Sequence, residues 1–130
     1  MNIVIKRVYV AADESDGQRI LVDRLWPRGV SKAEAHIDLW PKELTPSTEL
    51  RKWYEHDPER WAEFQQRYKA ELACYPELIQ QLQQMAQKQK ISLITAAKSE
   101  QYNHALVLKQ VIEAVKYTAL LTFGHKIGLV

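Results

Sequence analysis

Three short stretches of the chain are dominated by β-branched and aromatic residues, the pattern typical of β-strands. They are residues 3–10, residues 19–26 and residues 91–97. The last stretch is apolar at nearly every position between Lys90 and Lys98, which predicts a strand buried on both faces. Residues 37–40 predict one further short strand, which Pro41 would end.

Elsewhere the apolar positions recur at steps of three and four residues, which predicts amphipathic helices. One helical turn is expected at residues 32–36, and longer helices are expected to begin at Ser47, Asp57, Pro76 and Asn103, the last reaching about Lys116. The second of the longer helices has a clear apolar stripe, formed by Trp61, Phe64, Tyr68 and Leu72. The third has an opposite face that we expect to be solvated, formed by Gln80, Gln81, Gln83, Gln84, Gln87 and Gln89.

Strands that alternate with amphipathic helices predict an α/β domain with a small, mainly parallel sheet. We expect a single three-layer, Rossmann-like domain over residues 1–130, with a core at about residues 4–115 and an apolar tail at residues 117–130. The connection between the first two strands is short for a helical crossover, so a hairpin is the alternative. The parallel arrangement is preferred, because residues 19–26 have the apolar middle of a central strand.

The composition restricts the function classes without selecting one. The formal net charge of +2 is small for a nucleic-acid-binding domain. No apolar run approaches the ~18 to 20 residues that a membrane helix needs, and the first ten residues lack the features of a signal peptide. We therefore expect a cytoplasmic protein without a membrane span. The single cysteine, Cys74, excludes an internal disulfide and a cysteine-rich zinc site.

Several common motifs of enzymes are absent from the sequence. It contains no GxGxxG, no P-loop, no HExxH and no GxSxG. Its histidines are far apart and have no metal-ligand spacing, so we predict no metal site and assign no cofactor. They are His36, His56, His104 and His125.

The first candidate site segment is residues 22–29. In an open parallel sheet, ligands bind beyond the carboxyl ends of the strands. Asp23 and Arg24 stand within a predicted apolar strand, where a charge is costly unless it is paired. Trp26 and Arg28 follow at its end, where Trp26 would form a pocket wall and Arg28 would bind an anion. The alternative is that Asp23 and Arg24 only form ion pairs that set the packing register.

The second candidate segment is residues 96–104, between the buried strand and the last helix. Lys98 leaves the strand, and Asn103 and His104 open the helix. The free N–H groups and partial positive charge of a helix N-terminus favour an anion, although Asn103 has an alternative role as a simple cap. His104 is the natural general acid–base because its ordinary pKa is near neutrality. Asp23 would orient it or a water molecule.

Four stretches along the chain resemble the YeaO-like branch of the domain of unknown function 488 family. They are residues 16–32, which contain ILVDRLWPRGVSK, and residues 37–40, 46–58 and 96–105. The resemblance implies a small cytoplasmic protein with a Rossmann-like α/β domain and a pocket built from both candidate segments. Longer relatives have Cys-His-Arg where this chain has Asn103, His104 and Ala105. Any cysteine chemistry of those relatives is therefore not available to this chain.

Three functions stay open at this point. The first is binding, with or without turnover, of a small anionic or phosphate-bearing ligand between the two segments. The second is a binding or interaction module without chemistry, which includes a haem carrier and a homodimer. The third is a nucleic-acid-associated regulator, which the low net charge disfavours.

Overall fold

The computed structural model describes residues 1–114 of the chain. Those residues form three strands, five α-helices and three short 3-10 turns. In chain order the strands and helices are β1 (Ile3–Arg7), β2 (Gln18–Leu21), α1 (Lys32–Ala35), α2 (Thr48–Tyr54), α3 (Trp61–Leu72), α4 (Pro76–Lys88), β3 (Ile91–Thr95) and α5 (His104–Ala114). The predicted apolar tail at residues 117–130 and the predicted helix end at Lys116 lie outside the described residues.

All three strands of the sheet run parallel, in the order β1-β3-β2. Leu93 at the centre of β3 aligns with Ile5 of β1 on one side and with Ile20 of β2 on the other. The parallel arrangement that the sequence favoured is confirmed, and with it the α/β class. The three-layer Rossmann-like arrangement stays a prediction. The expectation that residues 19–26 form the central strand is wrong, because β3 lies between the other two.

β3 is central because it is the strand that can be buried on both sides. All five of its residues are buried. Ile91 and Leu93 belong to the main core, whereas Ile94 packs on the opposite face with Val8 and Ala35. Successive side chains of a strand point to opposite faces of the sheet. A strand with apolar side chains on both faces is therefore most stable between two other strands and between two packed layers.

The helices cover the main core, and α5 follows the loop that leaves β3. α5 contacts β1, β3, α3 and α4. The predicted stripe on α3 is confirmed for Phe64, Tyr68 and Leu72, which are buried, whereas Trp61 is half-buried. The solvated Gln-rich face is wrong at one position: Gln83 is buried, and its Nε2 donates to the Ile112 carbonyl at 3.0 Å. The amide stabilises the contact between α4 and α5.

The strands predicted at residues 3–10 and 91–97 end early, at Arg7 and Thr95, and the other two predicted strands differ more from the observed elements. β2 ends at Leu21, and only one more ladder hydrogen bond follows, from the Val22 N–H to the Ile94 carbonyl at 3.0 Å. Asp23 and Arg24 therefore lie beyond the strand, where a charge is less costly than inside it. Residues 37–40 make a single bridge, between Leu39 and Ile20, instead of a strand. The segment that contains Asp23 and Arg24 therefore leaves the sheet directly after Val22.

A buried ion network braces the first two strands. The Asp16 carboxylate, which is 5% exposed, accepts hydrogen bonds from Lys6 Nζ at 2.9 Å and from Arg19 Nη1 at 2.6 Å. Burial opposes ionisation, but these hydrogen bonds outweigh it and hold the pKa of Asp16 below its usual value. The network joins β1 to β2 although no backbone ladder connects them.

Within residues 1–114, no helix combines the length and the apolar character that a membrane crossing requires.

Candidate functional site

Two loops that are far apart in the sequence meet at the carboxyl end of the sheet. The carboxylate of Asp23 accepts hydrogen bonds from the Thr95 hydroxyl at 2.7 Å and from the Ala96 backbone N–H at 2.8 Å. Nε2 of His104 lies 3.0 Å from Oδ1 of the same carboxylate. Asp23 therefore ties the segment after β2 to the end of β3 and to the start of α5.

The surroundings of His104 determine which ring nitrogen carries its proton. Nε2 lies 3.0 Å from Oδ1 of Asp23 and 3.0 Å from the carbonyl oxygen of Val22. Both oxygens are acceptors, so we assign the proton of the neutral imidazole to Nε2. Nδ1 is then the nitrogen that can accept a hydrogen bond from a ligand, because Nε2–H is already shared between two protein oxygens.

Asp23 is ionised at neutral pH despite its partial burial. Burial alone would raise the pKa of this carboxyl. The hydrogen bonds from His104, Thr95 and the Ala96 N–H outweigh that effect and hold the pKa of Asp23 below its usual value. An ionised carboxylate makes the strong, charge-assisted hydrogen bonds that keep the two loops together.

A cavity of about 510 Å³ opens beside this junction. Its size is within the range of ~300–1,000 Å³ that is typical of small-molecule sites. Six of its lining side chains are basic or can become cationic: Arg24, Arg28, Arg51, Lys52, His56 and His104. Asp23 is the one carboxylate among the described lining residues, and its oxygens already accept three hydrogen bonds from the protein. The cavity therefore has an excess of positive charge.

The predicted residues of the first segment all line this cavity. Nε of Arg24 donates to the Pro46 carbonyl at 3.0 Å, which holds the half-buried guanidinium beside the cavity. The indole of Trp26 donates to the Val30 carbonyl at 2.6 Å. Arg28 is exposed, and its backbone carbonyl accepts a hydrogen bond from the Tyr9 hydroxyl at 3.0 Å. The structure thus brings Arg24, Trp26 and Arg28 together with Asp23 and His104.

The predicted residues of the second segment are divided between the cavity and other places. His104 lines the cavity, whereas Lys98 and Asn103 are not among its lining residues. Lys98 is exposed. Asn103 is buried, and its Oδ1 accepts a hydrogen bond from the Ala105 N–H at 2.8 Å. That is the capping role that the sequence analysis left open, so the amide oxygen already has a partner within its own helix.

Helix α2 supplies cations that the sequence analysis did not assign to the site. The Ser47 hydroxyl caps this helix by accepting from the Leu50 N–H at 3.1 Å. Leu50 and Tyr54 are buried, which fixes the rotation of the helix and leaves Arg51 and Lys52 at the cavity. The adjacent pair of cations beside an apolar stripe is visible in the sequence. The direction in which it points is not, because that depends on how α2 docks.

His56 reaches the cavity from the turn after α2. Glu55 and His56 both have positive φ values, 49° and 55°, which are uncommon for residues other than glycine. These two left-handed residues end the helix and turn the chain sharply. The His56 ring lies 6.1 Å from the Tyr54 ring, and both rings line the cavity.

No metal site is evident in the part of the chain that the structure describes, since no three metal-ligating side chains cluster there. The basic lining is suited instead to an anion, which could accept hydrogen bonds from the guanidinium groups and from the lysine.

Comparisons with known proteins agree on the family. The chain is 51% identical over 108 residues to the uncharacterized protein YeaO of Escherichia coli (strain K12). The aligned region covers 83% of this chain and 94% of that protein. It is 41% identical over 108 residues to the uncharacterized proteins Mb3100c of Mycobacterium bovis and Rv3073c of Mycobacterium tuberculosis, covering 83% of this chain and 91% of each relative. No solved structure matches the chain. A family profile described as the inactive DUF488-N3 subclade matches residues 2–119. The predicted resemblance is therefore confirmed, and the chain belongs to the inactive DUF488-N3 subclade.

Proposed function

We propose that this protein binds a small, phosphate-bearing anion in the cavity at the carboxyl end of its sheet. The observation that carries the proposal is the charge of the lining. Arg24 and Arg28 come from the loop after β2, and Arg51 and Lys52 come from α2. The one lining carboxylate, Asp23, is already hydrogen-bonded by the protein. Concentrating like charges around a cavity is unfavourable unless an anion offsets their repulsion.

In this proposal, the protein binds its ligand without cysteine-based turnover. The family to which the chain belongs is described as inactive. Asn103 stands where the longer relatives have a cysteine, and its side chain caps α5. In this proposal, Asp23 and His104 hold the rim of the cavity together and have no acid–base role.

Binding of inorganic pyrophosphate, measured by isothermal titration calorimetry with the full chain, tests the proposal. Arg51→Ala removes an exposed cation from the cavity and keeps a good helix former in α2. A hydrogen bond to a charged group contributes roughly 1.5–3 kcal/mol, so the variant should bind pyrophosphate about 10- to 150-fold more weakly.

Arg67→Ala is the matched control for this experiment. Arg67 is also an exposed helical arginine, on α3, where it pairs with Glu63 and stacks on the Trp53 ring at 4.3 Å. It does not line the cavity, so its loss should leave the affinity for pyrophosphate within about twofold, well under the tenfold that 1.4 kcal/mol represents. The proposal is wrong if pyrophosphate does not bind to the wild type, or if Arg67→Ala weakens binding as much as Arg51→Ala.

A further inference from the structure

The cavity also exposes apolar side chains that the anion proposal does not require. Seven large hydrophobic side chains are exposed among the described residues, and three of them line this one cavity. They are Tyr9 at 50% exposure, Leu25 at 63% and Tyr102 at 37%. Exposed apolar groups gathered at a concave site indicate that a partner or ligand covers them.

These three side chains come from three different loops. Tyr9 follows β1, Leu25 follows β2, and Tyr102 lies between β3 and α5. Each strand of the sheet therefore delivers one exposed apolar side chain to the same cavity. Because parallel strands place their carboxyl ends on one edge, such a cluster is a feature of the fold's ligand-binding edge.

Contacts with the protein restrain both tyrosine rings before any ligand binds. The Tyr9 hydroxyl donates to the Arg28 carbonyl at 3.0 Å. The Tyr102 ring packs edge to face on Trp61, with 5.8 Å between the ring centroids. The backbone carbonyl of Tyr102 also accepts a hydrogen bond from the Tyr54 hydroxyl at 3.4 Å. A restrained aromatic ring loses little side-chain entropy when a flat ligand stacks on it.

We propose that the ligand of this cavity is a free nucleoside phosphate, whose phosphate contacts the basic side chains and whose base lies against Tyr9 and Tyr102. The inference rests on the proposed anion-binding function and adds the chemical class of the ligand. A nucleobase has the flat, uncharged π-face that aromatic side chains bind irrespective of sequence. Its phosphate supplies the charge that Arg51 and Lys52 require.

A free nucleotide fits the cavity better than a strand of nucleic acid does. The formal net charge of the whole chain is only +2, which is too small for the extended phosphate contacts of a strand. The excess positive charge is instead gathered at a single cavity of about 510 Å³, which has the volume of a small-molecule site.

Calorimetric titration of the full chain with four kinds of probe tests this inference. The probes are inorganic pyrophosphate, ribose 5-phosphate, the common nucleoside 5′-monophosphates, and a short 5′-phosphorylated single-stranded DNA oligonucleotide. At least one nucleoside monophosphate should bind about 5- to 150-fold more tightly than ribose 5-phosphate, which is the contribution of stacking one base on an aromatic side chain.

Three variants test whether the Tyr102 ring is responsible for the tighter binding of nucleotides. Tyr102→Ala should abolish most of the preference for a nucleotide over ribose 5-phosphate and leave pyrophosphate binding unchanged. Tyr102→Phe keeps the ring and should keep the preference. Tyr75→Ala is the matched control, because Tyr75 is equally exposed, at 38%, and does not line the cavity.

The probes separate failure of this inference from failure of the anion proposal. If pyrophosphate binds but nucleotides bind no more tightly than ribose 5-phosphate, the nucleotide inference is wrong and the anion proposal stands. If no phosphate compound binds, both are wrong. If only the oligonucleotide binds, the free nucleotide is excluded. If Tyr75→Ala removes the preference as Tyr102→Ala does, the base does not bind at this cavity and the inference is wrong.

Discussion

Replacing Asp23 with alanine should destabilise the protein, because this carboxylate joins the two loops of the candidate site. The carboxylate accepts from the Thr95 hydroxyl, the Ala96 N–H and His104 Nε2. The His104 proton keeps the Val22 carbonyl as a partner in the variant. The Thr95 hydroxyl and the Ala96 N–H lose their acceptor, and each hydrogen bond to a charged group contributes about 1.5–3 kcal/mol.

The expected loss is smaller than the sum of those two bonds. The Asp23 side chain is 17% exposed, so water can reach part of the space that the carboxylate leaves. We therefore expect Asp23→Ala to lower the free energy of unfolding by about 2–4 kcal/mol at pH 7, a value below the 3–6 kcal/mol that full loss of both bonds would give. Urea denaturation followed by tryptophan fluorescence measures this change.

Glu63→Ala is the control for a carboxylate without such contacts. Glu63 lies on α3 and is half-exposed, and it pairs with Arg67 one helical turn away. An exposed pair at this spacing contributes about 0.3–0.5 kcal/mol, so its removal should scarcely change stability. A loss below about 1 kcal/mol for Asp23→Ala would refute the reasoning, since one charged hydrogen bond alone exceeds that value.

Two more predictions concern acid and a glycine. The free energy of unfolding should fall in urea titrations as the pH is lowered below about 5, where the carboxylates of the unfolded chain begin to protonate. Asp16 and Asp23 have lower pKa values in the folded protein than in the unfolded chain, so their ionised carboxylates stabilise the fold. This stabilisation is complete above the pKa of the unfolded carboxyls and is lost as the pH falls towards the pKa of the folded ones. An unchanged stability at pH 3 would contradict this. Gly17→Ala should cost more than about 2 kcal/mol by the same assay, because φ is 67° and a Cβ atom would lie 2.1 Å from the Lys90 carbonyl oxygen. Gly29→Ala is its control, with a similar φ of 78° but open space around the Cβ position, and should cost only about 1 kcal/mol; equal costs would show that the close approach to Lys90 is relieved.

The sequence by itself determined the class of the fold and much of its secondary structure. The apolar run at residues 91–97 contains β3, and the stripe of Phe64, Tyr68 and Leu72 is the buried face of α3. These features are local, because hydrophobic periodicity is read from neighbours along the chain. The family was also accessible from sequence, since its motifs are strings of adjacent residues.

Residue types also identified part of the candidate site. A carboxylate and an arginine beside apolar residues drew attention to Asp23 and Arg24, and both line the cavity. The same reasoning included Lys98 and Asn103, which the cavity does not include. A helix-opening asparagine has the same sequence signal whether it caps the helix or faces a ligand, so residue type could not separate the two roles.

Only the tertiary structure decided the strand order, the end of β2 and the arrival of α2 at the cavity. β3 became central because it is buried on both faces, although it is the last of the three strands within residues 1–114. Arg51 and Lys52 joined the site because Leu50 and Tyr54 pack inward and fix the rotation of α2. Such placements depend on contacts between residues distant in sequence, whose energies no local pattern records.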